Sequence, residues 1–305
     1  MTPKNPQKKI SASEPITASF RDPSGFVFSK NGTIYRQVNH VYKSDYEFLM
    51  SSGLYKELVE KQLLVSHEEE KNDSKGWKVI KPQAIPLISY WYEWPFSMVK
   101  DAAILTLQIQ KIAIQHGMSL KDASAFNIQF LNGKPILIDT LSFEKYEEGK
   151  PWVAYKQFVE HFLAPLALMS YTDVRLNRLG NAFLDGIPVD LAAHLLPIRA
   201  RLNPRLLFHI FAHAASTKKY SDKKLGAKMK EKNFSKHALL GLLDNLEGAV
   251  KSLKWKAEGT EWEDYYEKDK NNYQSTSIGH KETLVRKFVA ETKAKTVWDL
   301  GANTG

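Results

Sequence analysis

A chain of 305 residues can form one large domain or two ordinary ones. An apolar fraction of 43% with 11% aromatics excludes an intrinsically disordered protein. The absence of cysteine excludes disulfides, thiolate nucleophiles and Cys-ligated zinc, and agrees with a cytoplasmic location. The net charge of +9 invites a nucleic-acid reading that its distribution along the chain does not support.

Residues 1–20 carry Lys4, Lys8 and Lys9 among Ser, Pro and Thr with no apolar block behind them, so they read as a disordered tail rather than a secretory signal. Residues 26–38, FVFSKNGTIYRQV, place Lys30-Asn31-Gly32 between two β-rich runs, a hairpin signal because Asn and Gly both accept positive φ. Ser44 is a candidate N-cap for a helix from Asp45 to about Leu63. Strand candidates follow at Leu63–Ser66 and Trp77–Ile80, then an aromatic connector from Tyr90 to Phe96. A long helix is predicted from about Ser97 to His116, closed by Gly117. Residues 118–143 alternate short strands and loops, and the chain from Pro151 onward reads as helical for about 100 residues, with breaks near Gly180, Gly186-Ile187-Pro188 and Pro204. The most apolar run, Phe162 to Met169, is interrupted by Pro165 and falls far short of the ~20 residues of a membrane helix, so no membrane partner is expected. Between Lys218 and Lys236 eight lysines face two acids, with no arginine and no interleaved aromatics; this reads as a solvated loop and gives no clear nucleic-acid signal. His209 and His213 lie four apart, but Ile210 stands where a zincin needs Glu. From Trp255 the composition changes to a Trp/Tyr-rich segment, then a helix near Lys281–Glu291 with Thr283, Leu284, Phe288 and Val289 as its buried side, then a strand.

In the middle of the chain Asp122 is followed by Asn127 and, after the apolar strand Pro135–Ile138, by Asp139. This resembles the catalytic segment of the protein-kinase and aminoglycoside-phosphotransferase superfamily. The resemblance covers roughly residues 25–250 and implies a small β-containing lobe, a hinge at Tyr90–Phe96 and a mostly helical second lobe. It further implies Asp122 as the catalytic residue orienting a hydroxyl, Asn127 and Asp139 as Mg²⁺ ligands, Mg-ATP as cofactor, and Arg36 in the phosphate-binding position with Glu47 or Glu57 as its helix partner. The chain departs from that pattern: it has no G-x-G-x-x-G loop, Lys121 precedes Asp122, and Thr140-Leu141 follows Asp139. Three readings therefore stand: an active phosphotransferase, a kinase-shaped nucleotide- or partner-binding module without transfer, and an unrelated Asp/Asn-bearing hairpin. If the site has the kinase shape alone, Asp139→Ala is expected to leave stability nearly unchanged.

The last ten residues, TVWDLGANTG, run from an apolar strand into D-x-G-x-N-x-G. This string resembles motif I of class I S-adenosylmethionine-dependent methyltransferases, including bacterial ones labelled nodulation-type. There the loop wraps the cofactor: Gly301 and Gly305 allow close backbone approach, Asn303 tolerates positive φ, and Asp299 acts at the cofactor's amino group. The combined reading is an α+β chain with three parts: the tail 1–20, a kinase-like two-lobed domain 21–254, and, in 255–305, the first helix and strand of a Rossmann-like methyltransferase domain. The chain is expected to stop inside the cofactor loop and to be inactive alone. The complete protein would transfer methyl groups from S-adenosylmethionine to an unknown small-molecule or glycan acceptor.

Overall fold

The computed structural model describes residues 14–15, 22–70, 76–215, 234–256 and 275–298. The fold is α+β, with small antiparallel sheets and, among the described residues, nine α-helices. The chain divides into two compact units, residues 1–254 and 255–305.

The larger unit opens with a five-stranded sheet in the order β1-β2-β3-β5-β4. Its strands are β1 (Glu14–Pro15), β2 (Gly25–Lys30), β3 (Thr33–Val38), β4 (His67–Glu70) and β5 (Lys78–Pro82), all antiparallel to their neighbours. The β2–β3 turn is made by Asn31 and Gly32 at φ 53° and 77°, the paired left-handed conformation of a two-residue hairpin whose twist matches its strands. Gly25 is required at the other end of the hairpin, since a Cβ there would lie 1.9 Å from the Gln37 carbonyl oxygen.

The single helix expected over 45–63 is instead two, α1 (Lys43–Ser51) and α2 (Leu54–Glu60). Gly53 at φ 82° separates them, and the bend lets Leu49, Leu54 and Leu58 all reach one core. Ser44 lies inside α1 rather than capping it. Leu63–Ser66 does not form the expected strand; Leu64 makes one bridge to Leu137, and the strand begins at His67.

Helix α3 (Phe96–Gln115) is the axis of the helical part and is buried on most of its faces. It ends as the sequence predicts, with Gly117 at φ 73°. Gln110 anchors the next strand, β6 (Met118–Leu120), by accepting from Leu120 N at 2.6 Å and donating to Ser119 Oγ at 2.9 Å. The hairpin β7 (Ile128–Leu131) and β8 (Lys134–Leu137) turns at Asn132-Gly133, and β9 (Phe143–Lys145) pairs back with β6. Then come α4 (Tyr155–Phe158), a π-helical turn (Val159–Leu163) and α5 (Ala164–Tyr171) as one continuous rod. They are followed by α6 (Val189–Leu195), α7 (Pro204–Leu206) with a second π-helical turn (Leu207–Ala212), and α8 (Lys236–Ser252).

The connector between sheet and helices is fixed from both sides. Gln129 of β7 accepts from Ser89 N and donates to Ser89 O, at 3.0 and 2.9 Å. Asn177 donates to the carbonyls of Trp91 and Trp94. Trp91, Trp94 and Phe96 are buried, while Tyr90 is exposed and stacks on Tyr92.

In the smaller unit, α9 spans Ser275–Thr292, longer than predicted. Leu284, Phe288 and Val289, expected on a buried side, are exposed. Thr296–Trp298 is not in a strand, where the sequence predicts one. Among the described residues no helix is long and apolar enough to cross a membrane.

Candidate functional site

β3 carries Arg36 opposite Val27 on one side and Ile80 on the other. Its guanidinium donates from Nη1 to Asp139 Oδ1 at 2.8 Å and from Nη2 to Asp22 Oδ2 at 2.9 Å. The Arg36 and Asp139 side chains are 14% and 13% exposed, so this pair is largely withdrawn from water. Arg36 Nε is buried without a hydrogen-bond partner. The helix partners expected from sequence are engaged elsewhere: Glu47 with Lys43, and Glu57 with Lys61 and His116.

Asp139 sits just past β8, and backbone bonds hold that strand on both edges. Leu137 pairs with Leu63 and Val65, and Ile138 N donates to Asn127 O at 2.8 Å. Asp139 Oδ1 also accepts from Leu141 N at 2.8 Å, closing a tight turn. Leu141 then enters the small core of the sheet with Val38, Tyr42, Tyr46 and Ile80. Leu141, two residues past Asp139, thus pins the loop to the five-stranded sheet, whereas the acid itself meets Arg36.

Asn127 closes a short 3₁₀ turn (Ala125–Asn127) capped by Ser124 and donates from Nδ2 to Ser142 Oγ at 3.2 Å. Asp122 faces a different element. Its Oδ1 accepts from Ser124 N at 2.9 Å and from Gln157 Nε2 of α4 at 2.8 Å, while Gln157 Oε1 accepts from Ala123 N at 2.7 Å. The loop is further stitched by Lys121 N donating to Ser142 O at 2.8 Å. The backbones of Asp122, Asn127 and Asp139 therefore belong to one hydrogen-bonded loop cluster, with Asp139 turned to the sheet and Asp122 held by the helical rod.

Beside this cluster Lys121 Nζ donates to Ser24 Oγ at 2.6 Å and lies 4.6 Å from the Tyr42 ring centroid. Burial, with the charges of Asp139 and Asp45 behind it, pushes the Tyr42 hydroxyl well above its usual range, so it stays a donor, here to Phe143 O at 2.7 Å. On the helical side burial lowers the His161 pKa to about 4, against the opposing pull of Asp122. Asp22, Gln157 and Tyr42 escape sequence reasoning because each reaches the cluster by tertiary packing; the Asp-Pro turn at 22–23 was the only local signal.

Among the described residues no group of three or more His, Cys, Asp and Glu could hold a metal. That includes His209, which is buried between Tyr155 Oη and Asn245 Oδ1 at 2.9 Å each. Asn127 and Asp139 share one hydrogen-bonded loop, while the Asp122 carboxylate is turned to Ser124 N and Gln157. The loop residues Asp299, Gly301, Asn303 and Gly305 lie outside the described residues.

The chain is similar to a nodulation protein. It is 31% identical over 299 residues to nodulation protein NoeA of Rhizobium meliloti (strain 1021), across 95% of this chain and 62% of that protein. The chain thus spans less than two thirds of the length of this relative. No protein-family model matches.

Proposed function

We propose that the larger unit is a kinase-shaped module that binds Mg-nucleotide without transferring the phosphoryl group. The observation that carries this reading is the ion pair at 2.8 Å between Arg36 of β3 and Asp139 behind β8. It joins a cation of the small sheet to an acid of the loop cluster, the juxtaposition that phosphate and divalent-cation binding require. Nucleotide phosphates would draw Arg36 from Asp139. Asp139 and the Asn127 amide oxygen would then hold Mg²⁺, which would supply charge neutralisation on the phosphates. The tip of the β2–β3 hairpin offers Lys30-Asn31-Gly32 in place of a glycine-rich loop, so the phosphates lack the backbone cradle on which transfer depends.

The smaller unit supports a second role, methyl transfer from S-adenosylmethionine to an unidentified small-molecule or glycan acceptor in the protein to which this chain belongs. The favouring observation is α9, whose Leu284, Val285, Phe288 and Val289 remain exposed just ahead of the apolar Val297-Trp298, as in a helix and strand made for a sheet.

Calorimetry and melting curves with MgATP, and separately with S-adenosylmethionine, test both roles. MgATP is expected to raise the melting temperature, EDTA to cancel the rise, and Asp139→Asn to abolish it. An unmutated chain that ignores millimolar MgATP overturns the first role. The 305-residue chain by itself is expected not to bind S-adenosylmethionine; in the protein to which it belongs, binding that survives Gly301→Val overturns the second.

A further inference from the structure

Lys121 stands immediately before Asp122, where the chain departs from the kinase pattern. Its backbone belongs to the loop cluster: Lys121 N donates to Ser142 O at 2.8 Å, and the Asn127 side chain donates to Ser142 Oγ at 3.2 Å. Its ammonium reaches instead to the turn ahead of β2, donating to Ser24 Oγ at 2.6 Å and lying 4.6 Å from the Tyr42 ring centroid. Ser24 is buried, and its amide donates to Asp22 Oδ1 at 2.8 Å, while Asp22 Oδ2 accepts from Arg36 at 2.9 Å. One turn, Asp22–Ser24, thus holds two cations that arrive from different elements, Arg36 from β3 and Lys121 from the loop. They are held in different ways. Arg36 is met by two carboxylates, whereas Lys121 meets a hydroxyl and a ring face, and among the described residues no carboxylate pairs with it. Glu144 feels its charge without bonding to it. A half-buried ammonium among neutral partners is a positive charge left uncompensated, and it keeps N–H donors for an anion.

We propose that Lys121 is the second phosphate contact of the nucleotide site and selects triphosphate over diphosphate, an inference that rests on the nucleotide-binding role of Arg36 and Asp139. A phosphate at Arg36 must displace Asp139 and forfeits an ion pair, so that contact adds little net affinity. A phosphate at Lys121 displaces only a neutral hydroxyl and gains a charge-assisted bond. A polyphosphate long enough to engage both cations collects both contacts, and a shorter one collects one. A Lys121 that served only to strap the loop to Ser24 would act on stability and leave the choice of nucleotide untouched.

Calorimetry of the 305-residue chain with MgATP and with MgADP, beside melting curves of each variant, reads this out. The unmutated chain is expected to bind MgATP about tenfold tighter than MgADP, the size of one charge-assisted contact. Lys121→Met keeps an aliphatic stem on the Tyr42 ring and removes the charge, and Lys121→Gln keeps a donor for Ser24; both are expected to bind the two nucleotides alike. Lys121→Arg is expected to keep the preference. Lys145 is the control, because its ammonium also donates to a serine hydroxyl, Ser44 Oγ at 2.6 Å, and lies 5.5 Å from the Phe48 ring centroid, but it ties β9 to α1. Lys145→Met is expected to leave the preference intact. Equal binding of MgATP and MgADP by the unmutated chain overturns the inference and leaves nucleotide binding standing, as does a preference that the Met and Gln variants of Lys121 retain. A preference that Lys145→Met also abolishes would be an effect of net charge and overturns it too. A chain that binds neither nucleotide overturns the underlying role and this inference together.

Discussion

Arg36 holds two carboxylates at once, and Asp139 holds both a guanidinium and the Leu141 amide. Removing Asp139 leaves a half-satisfied guanidinium, whose Nε is already without a partner, and frees the turn that seats Leu141 in the sheet core. The near-neutral Asp139→Ala expected from a site of shape alone gives way to a cost of about 2–3 kcal/mol, the range for breaking one side of a largely buried pair. Urea denaturation measures it. A double-mutant cycle with Arg36→Ala should show coupling of about 1 kcal/mol or more, since the arginine's removal relieves part of the damage. Additive effects would mean that the pair contributes nothing and that the Asp139 loss is the turn alone. The same balance gives the site its selectivity: only a ligand with negative charge to offer Arg36 can release Asp139 for a cation.

At the scale of elements, α1, α2 and α3 are joined by one imidazole. His116 at the end of α3 points Nδ1 at Ser52 O, 2.8 Å away, and Nε2 at Glu57 Oε2, 2.7 Å away. Both partners are acceptors, so both ring nitrogens must carry protons. The bond to the Ser52 carbonyl and then that to Glu57 raise its pKa, while the hydrogen bond from Lys61 and then that from His116 lower that of Glu57. A raised folded-state pKa stabilises fully below the unfolded value of about 6.5 and loses that contribution as pH rises through the folded value. Urea midpoints should therefore fall between pH 6 and pH 8.5, and His116→Gln should flatten that fall; an unchanged slope in the variant removes His116 from the account. None of this linkage was legible in the sequence, because it depends on Gly53 bending the predicted single helix back on itself. What was legible rested on local chemistry. Asn31-Gly32 marks a hairpin by its φ values, Gly117 a helix end, and the periodicity of 97–116 a buried helix. The loop of Asp122, Asn127 and Asp139 could be read as a cluster from its spacing. The partners of each acid could not, since Gln157, Asp22 and Arg36 arrive from three elements whose packing no spacing encodes. The buried side of α9 was read from its apolar periodicity, which shows which face seeks cover and not whether cover is present.

The whole larger unit carries a second proton linkage of opposite sign. Burial lowers the pKa of His67, His161 and His209 to about 4 each. His67 shares Nε2 with Tyr46 Oη at 2.8 Å and has no partner at Nδ1, and His161 Nδ1 is also buried without a partner. His209 is held between Tyr155 and Asn245, where burial has raised the tyrosine to about 12 and so keeps it neutral. In each case a second proton would bury a charge with no carboxylate bonded to receive it. The unfolded chain binds those protons near pH 6.5 and the folded chain only near pH 4, so stability is complete above the first value and drains away as pH falls toward the second. The three sites lie in separate parts of the unit: His67 in the small sheet, His161 in the helical rod, and His209 in the second π-helical turn. Their effects should accordingly add. Combined with the loss above pH 6.5 at His116, they place the stability optimum close to pH 6.5. Urea midpoints across pH 4.5 to 8.5 should trace a dome. His161→Phe, which removes the proton site and keeps a ring against Trp91 and Phe126, should reduce the acid slope by about one proton's worth. A midpoint that stays level or rises from pH 6.5 down to pH 4.5 would contradict buried neutral histidines at all three positions.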